Sequence, residues 1–327
     1  MSPTRPGAPR TVRTLTAVVV ALVLALVAGC GVRLETPPPE PLVPDVNEQA
    51  RQRASADAAT LAALAEVPPA APDAAPDPVA DARAAVVAEA STHLDLLGGL
   101  YTGEPGGEDR DARPQTPAAT PEPEPTTATP DAVLALLTES AATARADADT
   151  VTDGPLARLL GSVSVSRLLS ASRLAAAAGL APPAVPEGIP AVDLAALVTA
   201  EDAAGYGLEV VAAKGSGDLR TRAHERAATH RSRAQGWADL AGIDGTGLDP
   251  RRVAYALPPG LEDPATAAGL AGSLETTLAG HYASLVAGAP PGARAALVDA
   301  VAEASAQASS WGAPLPALPG LPERAEG

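Results

Sequence analysis

Glu201, His230 and Glu275 are the side chains whose types and positions could do chemistry in this sequence. Each falls on or beside a stripe of apolar residues repeating at helical spacing, where an unpaired charge is costly. One helix presents Leu194, Leu197, Val198, Glu201, Gly205, Leu208 and Val211. A second presents Leu219, Ala223, Ala227, His230, Ala234, Trp237 and Leu240. A third presents Leu270, Leu274, Leu278, His281 and Leu285, with Glu275 and Tyr282 at its edge. A fourth offers Leu297, Val301, Ala304 and Trp311, with Glu303 at its edge. Two carboxylates and an imidazole turned inward have two readings. They make a hydrogen-bonded set that fixes helix register, or they are Glu201, His230 and Glu275 ligands to a single metal ion.

The other candidates read as structural. His281 on the third stripe and His93 beside the stripe of an earlier helix are expected to be satisfied core histidines, and His224 is expected to be solvated. Arg222, Arg226 and Arg233 line one flank of their helix, where they neutralise carboxylates or hold an anionic ligand. Tyr206, between Gly205 and Gly207, fills the space that two small residues open, or lines a pocket. The chain has no Gly-x-Ser-x-Gly, no phosphate-binding glycine loop and no second cysteine for a redox pair. No residue is assigned a catalytic role, and no cofactor is expected.

Helices must position these side chains, and punctuation marks them out. Asn47 is a candidate cap for a helix to about Glu66, and a second runs from Pro78 to about Leu97. Others follow at 131–149 and 155–179, flanked by proline-rich breaks at 67–78, 103–130 and 181–190. Pro190 opens a helix to about Lys214, and Asp218 caps one from Leu219 to Ala241. Asp249-Pro250 starts a short helical turn, and Asp263-Pro264 pairs a capping carboxylate with proline at the first helical position. The last helix ends at Trp311, with Gly312 after it. No strand-rich region is present, and the expected class is all-α. The last four long helices predict an antiparallel four-helix bundle over 190–312, preceded by an N-terminal helical region, 47–180, with a disordered loop at 103–130. Residues 313–327 read as a flexible tail.

The N-terminus carries an address. Arg5, Arg10 and Arg13 precede an apolar run from Leu15 to Ala28, which ends in Val27-Ala28-Gly29-Cys30. A basic head, a short apolar run and small residues are the layout of a secretory signal, here 1–29. The run is shorter than the roughly 20 residues a membrane-crossing helix needs. Val27-Ala28-Gly29-Cys30 resembles the lipobox of bacterial lipoproteins, with Val where Leu is usual. That resemblance implies diacylglyceryl and palmitate attachment at Cys30 and anchoring on the extracytoplasmic face of the cell membrane. Cys30 is the one cysteine in the chain, so no intramolecular disulfide can form. Residues 30–46 hold Pro37-Pro38-Pro39, Pro41 and Pro44, an extended tether of about 40–50 Å.

Composition narrows the partners. With 23 basic against 39 acidic residues the formal charge is −16, which argues against nucleic acid. Phe is absent, and alanine-rich helices with few aromatics make thin, closely spaced cores.

Glu201-Asp202-Ala203-Ala204-Gly205-Tyr206-Gly207, His230-Arg231, Tyr255-Ala256-Leu257-Pro258, Leu274-Glu275, Tyr282 with Leu285-Val286, and Trp311 together resemble the uncharacterised ferritin-like domain of actinobacterial lipoproteins. The resemblance covers roughly 190–312 and implies a ferritin-like four-helix fold; the family has no established activity. Di-iron bundles use a Glu from each of two helices and Glu-x-x-His from each of the other two. Here Ala227 stands three residues before His230 and Ala306 three after Glu303, so the full set is missing. The expected function is a membrane-anchored envelope lipoprotein, a non-catalytic helical module that binds an envelope protein or small ligand. A metal-binding ferritin-like protein is the alternative.

Overall fold

The computed structural model describes residues 43–67, 75–100, 128–186 and 195–324. The signal sequence, Cys30, nearly all of the tether and most of the 103–130 loop lie outside the described residues. Among the described residues there are eight α-helices and no strand: α1 (Val46–Ala65), α2 (Pro78–Leu96), α3 (Pro130–Thr150), α4 (Gly154–Ala178), α5 (Ala195–Lys214), α6 (Gly217–Leu240), α7 (Pro264–Gly288) and α8 (Ala295–Ser310). A short 3-10 turn follows at Pro322–Arg324. No described helix is long and apolar enough to cross a membrane.

Helix starts are written locally. Asp77, Asp153 and Asp263 each accept a hydrogen bond from a first-turn amide, and each stands just before a proline-led first turn. Such caps contribute about 1 kcal/mol apiece. Asn47 is not the cap of α1. Asp45 caps it, and the Asn47 side chain instead accepts from the Thr152 amide at 2.8 Å, tying α1 to the α3–α4 turn. Residues 241–263 make turns only, so no helix follows Asp249-Pro250.

The helices pair as four hairpins, α1–α2, α3–α4, α5–α6 and α7–α8. Contacts such as Arg53–Asp147 and Glu89–Arg173 set α1 antiparallel to α3, and α2 antiparallel to α4. Glu201–Tyr282, Arg226–Glu303 and Arg222–Ser310 do the same for α5 with α7 and α6 with α8. Two quartets therefore share one winding, each with a long crossover after its second helix, at 97–129 and at 241–263.

Pro44–Gly327 is one compact unit, and α4 is the reason. It belongs to the first quartet but also packs on α7 and α8, with Leu160 and Val163 in the same core as Tyr282, Val286 and Val298. The approach needs a missing side chain, because a Cβ at Gly154 would lie 2.2 Å from the Ala287 carbonyl oxygen. Buried Arg83 and Arg294 close two helix ends. Arg83 donates to the carbonyls of Leu64, Ala65 and Glu66 at the end of α1, and Arg294 to those of Ala148 and Val151 at the end of α3.

The expected flexible tail is packed as far as it is described. Leu318 and Leu321 are buried, and the carbonyls of Ala317, Pro319 and Gly320 accept from His93, Ser162 and Arg158. Apolar residues between prolines, at 315, 318 and 321, pack on the core that α4, α7 and α8 share. A proline-rich segment that buries side chains this way is extended but fixed.

Candidate functional site

Helix α7 turns its inner face by one residue from the leucine stripe. Ala267, Ala271, Glu275, Leu278, Tyr282 and Val286 are buried, whereas Leu274 and Leu285 are partly exposed and His281 is exposed. The reason is packing distance. Ala267, Ala271, Gly272, Ala279 and Ala283 let neighbouring helices approach along this face, and of the leucine stripe only Leu278 stays fully buried while Leu270, Leu274 and Leu285 sit at the rim. His281 is therefore not a core histidine, and Glu275 moves from the edge to the centre.

Glu201 on α5, His230 on α6 and Glu275 on α7 meet, all at 0 % exposure. His230 bridges the two carboxylates. Its Nδ1 lies 2.6 Å from Glu201 Oε2 and its Nε2 3.1 Å from Glu275 Oε1. Glu201 also accepts from the Tyr282 hydroxyl. Arg226 grips Glu275 with two bonds, Nε to Oε1 at 2.5 Å and Nη2 to Oε2 at 2.9 Å. Its Nη1 reaches Glu303 Oε1 at 2.6 Å, and Arg233 Nη2 donates to both oxygens of Glu303 at 2.7 Å. The chain of contacts thus runs Tyr282–Glu201–His230–Glu275–Arg226–Glu303–Arg233, across all four helices of the second quartet.

The electrostatics follow from this order. Burial alone would push the His230 imidazole down, but its hydrogen bonds to Glu201 and Glu275 win and raise it above 6.5. Burial likewise raises Glu275 and Glu303, but Arg226 and His230 hold Glu275 below 4.5, and Arg233 and Arg226 hold Glu303 below it. Burial and the neighbouring Glu201 carboxylate push the Tyr282 hydroxyl up, so it stays a donor. With His230 doubly protonated, three carboxylates face three cations inside the quartet, and both ring N–H groups are donors.

A second cluster borders the first. Asp202 is 4 % exposed, accepts from Arg231, and takes the Tyr255 hydroxyl at 2.7 Å. The Arg231 stem passes over Gly205, where a Cβ would stand 2.9 Å from its Cδ. Tyr206 packs its ring 5.8 Å from that of Tyr255, so it joins the 241–263 crossover to α5.

The family described as Domain of unknown function (DUF4439) matches residues 193–323. No curated protein matches the chain, and no solved structure does. The DUF4439 match holds every member of the network and none of α1–α4.

Of the residues singled out from sequence, the structure unites Glu201, His230, Glu275, Tyr282 and Glu303. Arg226 and Arg233 join them, while Arg222 stands apart over the Trp311 ring, 4.1 Å from its centroid. His224 is exposed, and His93 is buried in the first quartet. Among the described residues no group of three or more His, Cys, Asp or Glu is arranged to hold a metal ion. Sequence reading missed the central part of Arg226. The signal was there: Arg226 stands four residues before His230, one turn along the same face.

Proposed function

We propose that this chain is an exported lipoprotein, lipidated on Cys30, whose helical body is a non-catalytic binding module at the outer face of the membrane. The single observation that carries the non-catalytic reading is the closed charge balance around His230. A general acid or base needs an open partner, and here each ionised group is held by another. The lipobox-like Val27-Ala28-Gly29-Cys30 and the proline-rich stretch behind it support the address. The antiparallel order α5–α8 with its long crossover supports a ferritin-like bundle. Labelled palmitate should enter the chain in cells, and Cys30→Ser should remove the label and release the chain from the membrane fraction. A membrane-bound, unlabelled chain would overturn the address. Crosslinking in intact cells should recover a specific envelope partner, unless the ligand is small and stays bound through purification; finding neither would sink the binding role.

One observation favours a second reading, a metal-handling bundle, because Glu201, His230 and Glu275 do converge. The spacing argues for protons instead. Ligands about 2.1 Å from a tetrahedral ion stand more than about 3 Å apart, whereas His230 Nδ1 and Glu201 Oε2 are 2.6 Å apart. Arg226 also supplies a cation to Glu275. Elemental analysis after exposure to iron, manganese and zinc is expected to find no bound metal. Near-stoichiometric metal that disappears in His230→Ala would replace the first reading with the second.

A further inference from the structure

Helix α6 carries Arg222, Arg226, Thr229 and Arg233 at spacings of four, three and four residues, which is one face. That face looks across at α8. The two helices stand further apart than their neighbours, and long side chains bridge them: Arg222 to Ser310, Arg226 and Arg233 to Glu303. Between them opens a cleft of about 740 Å³, within the roughly 300–1,000 Å³ of small-molecule sites. The corresponding gap in the first quartet is shut. There α2 and α4 pack closely, leaving a void of about 10 Å³ beside His93 and Arg167.

The lining of the open cleft has a definite character. Arg226 and Arg233 are engaged by Glu275 and Glu303, which leaves Arg222 and Glu225 as the remaining charged groups of the lining. Arg226 and Arg233 turn to Glu303 at the floor. Arg222 uses Nη2 alone, at 3.0 Å to Ser310, and its Nε and Nη1 have no protein acceptor among the described residues. Val185, Ala306 and Trp311 supply apolar wall, with the Arg222 guanidinium over the Trp311 ring.

We propose that the α6–α8 cleft binds a small organic monocarboxylate, its carboxylate on the free edge of Arg222 and its apolar body against Val185 and Ala306. A planar guanidinium edge suits a carboxylate. Glu225 and Glu303 stand in the same lining, so a dianion would meet more repulsion there than a monoanion. This deepens the binding-module reading and rests on it, by naming the ligand class.

Hexanoate titrated into the full chain, followed by calorimetry and ligand-observed NMR at matched ionic strength, tests the site. Binding should saturate, with hexanol and inorganic phosphate each about tenfold weaker or more, the size of one charge-assisted bond. Arg222→Ala should weaken hexanoate about tenfold. Ala306→Phe fills the cleft without touching a charge and should abolish binding, with Tm within a few degrees of the parent for both variants. Hexanoate no tighter than hexanol, or indifferent to both substitutions, overturns the proposal. That failure would leave the palmitate and crosslinking results untouched, so it is distinguishable from failure of the binding module as a whole.

Discussion

The two quartets wind alike but bury opposite kinds of histidine. His93, on the second helix of the first, donates from Nε2 to the Ala317 carbonyl at 2.8 Å, and its Nδ1 meets no partner. Burial drives it down to about 4, so it is neutral. His230, on the second helix of the other quartet, is as deeply buried but lies between two carboxylates and is raised. Burial alone expels a proton; burial beside two opposite charges retains it. The rest of each interior follows suit. In the first quartet Arg167 is held mainly by the carbonyls of Ala54 and Ser140 and is lowered by burial to about 10, with Asp57 at 3.4 Å. In the second, each arginine of the network meets a carboxylate at 2.9 Å or less.

The largest expected effect breaks this contrast at Glu275. Glu275→Leu leaves Arg226 and His230 facing an apolar side chain and should cost about 3–5 kcal/mol in urea unfolding. Adding Arg226→Met should recover much of that loss, because a buried pair replaced by apolar groups is often near neutral. A double variant no more stable than Glu275→Leu would show that the guanidinium does more than offset one carboxylate.

Next in size is the pH dependence, which has opposite signs in the two quartets. His230, raised above its unfolded value of 6.5, contributes stability that is full below pH 6.5 and is lost as pH climbs through its folded value. His93, lowered to about 4, contributes stability that is full above pH 6.5 and is lost between pH 6.5 and about 4. Unfolding measured across pH should therefore fall off on both sides. His93→Leu should flatten the acid-side loss by about 3 kcal/mol or less, and His230→Leu should flatten the alkaline side. Nitrogen NMR at pH 6 should show two protonated ring nitrogens on His230 and one on His93. A neutral His230 would remove the balance of three charges against three.

The smallest effect is at His281. Exposed on α7, it should change stability by less than about 0.5 kcal/mol when replaced by Ala. A loss of several kcal/mol would restore the leucine stripe as the inner face of α7 and dismantle the Glu275 site.

Several elements are legible in the local sequence. Asp77-Pro78 and Asp263-Pro264 start helices because a carboxylate and a proline act on the nearest amides, whatever the rest of the chain does. Glu201 and His230 stand out because charge in an apolar stripe must be answered. Less legible is the true face of α7, since in an alanine-rich helix the small residues share the packing face and all of the stripe's leucines but Leu278 fall at its rim. The tail at 313–324 misleads because prolines suggest a free strand of chain, while Leu318 and Leu321 bury themselves between them.

Sequence by itself determined the all-helical class, the helix starts at Pro78 and Pro264, the single cysteine and the need for partners around Glu201 and His230, but not the caps expected at Asn47 and Asp218. These are local matters: caps, periodicity and desolvation act within a turn or two of the chain. Tertiary structure alone decided that Arg226 is the shared partner of Glu275 and Glu303, that α4 belongs to both quartets, and that one gap between helices is shut and the other open. The first of these depends on residues 49 and 77 positions apart meeting within 3 Å, the others on contacts between helices likewise distant in the chain, and no local spacing encodes such meetings.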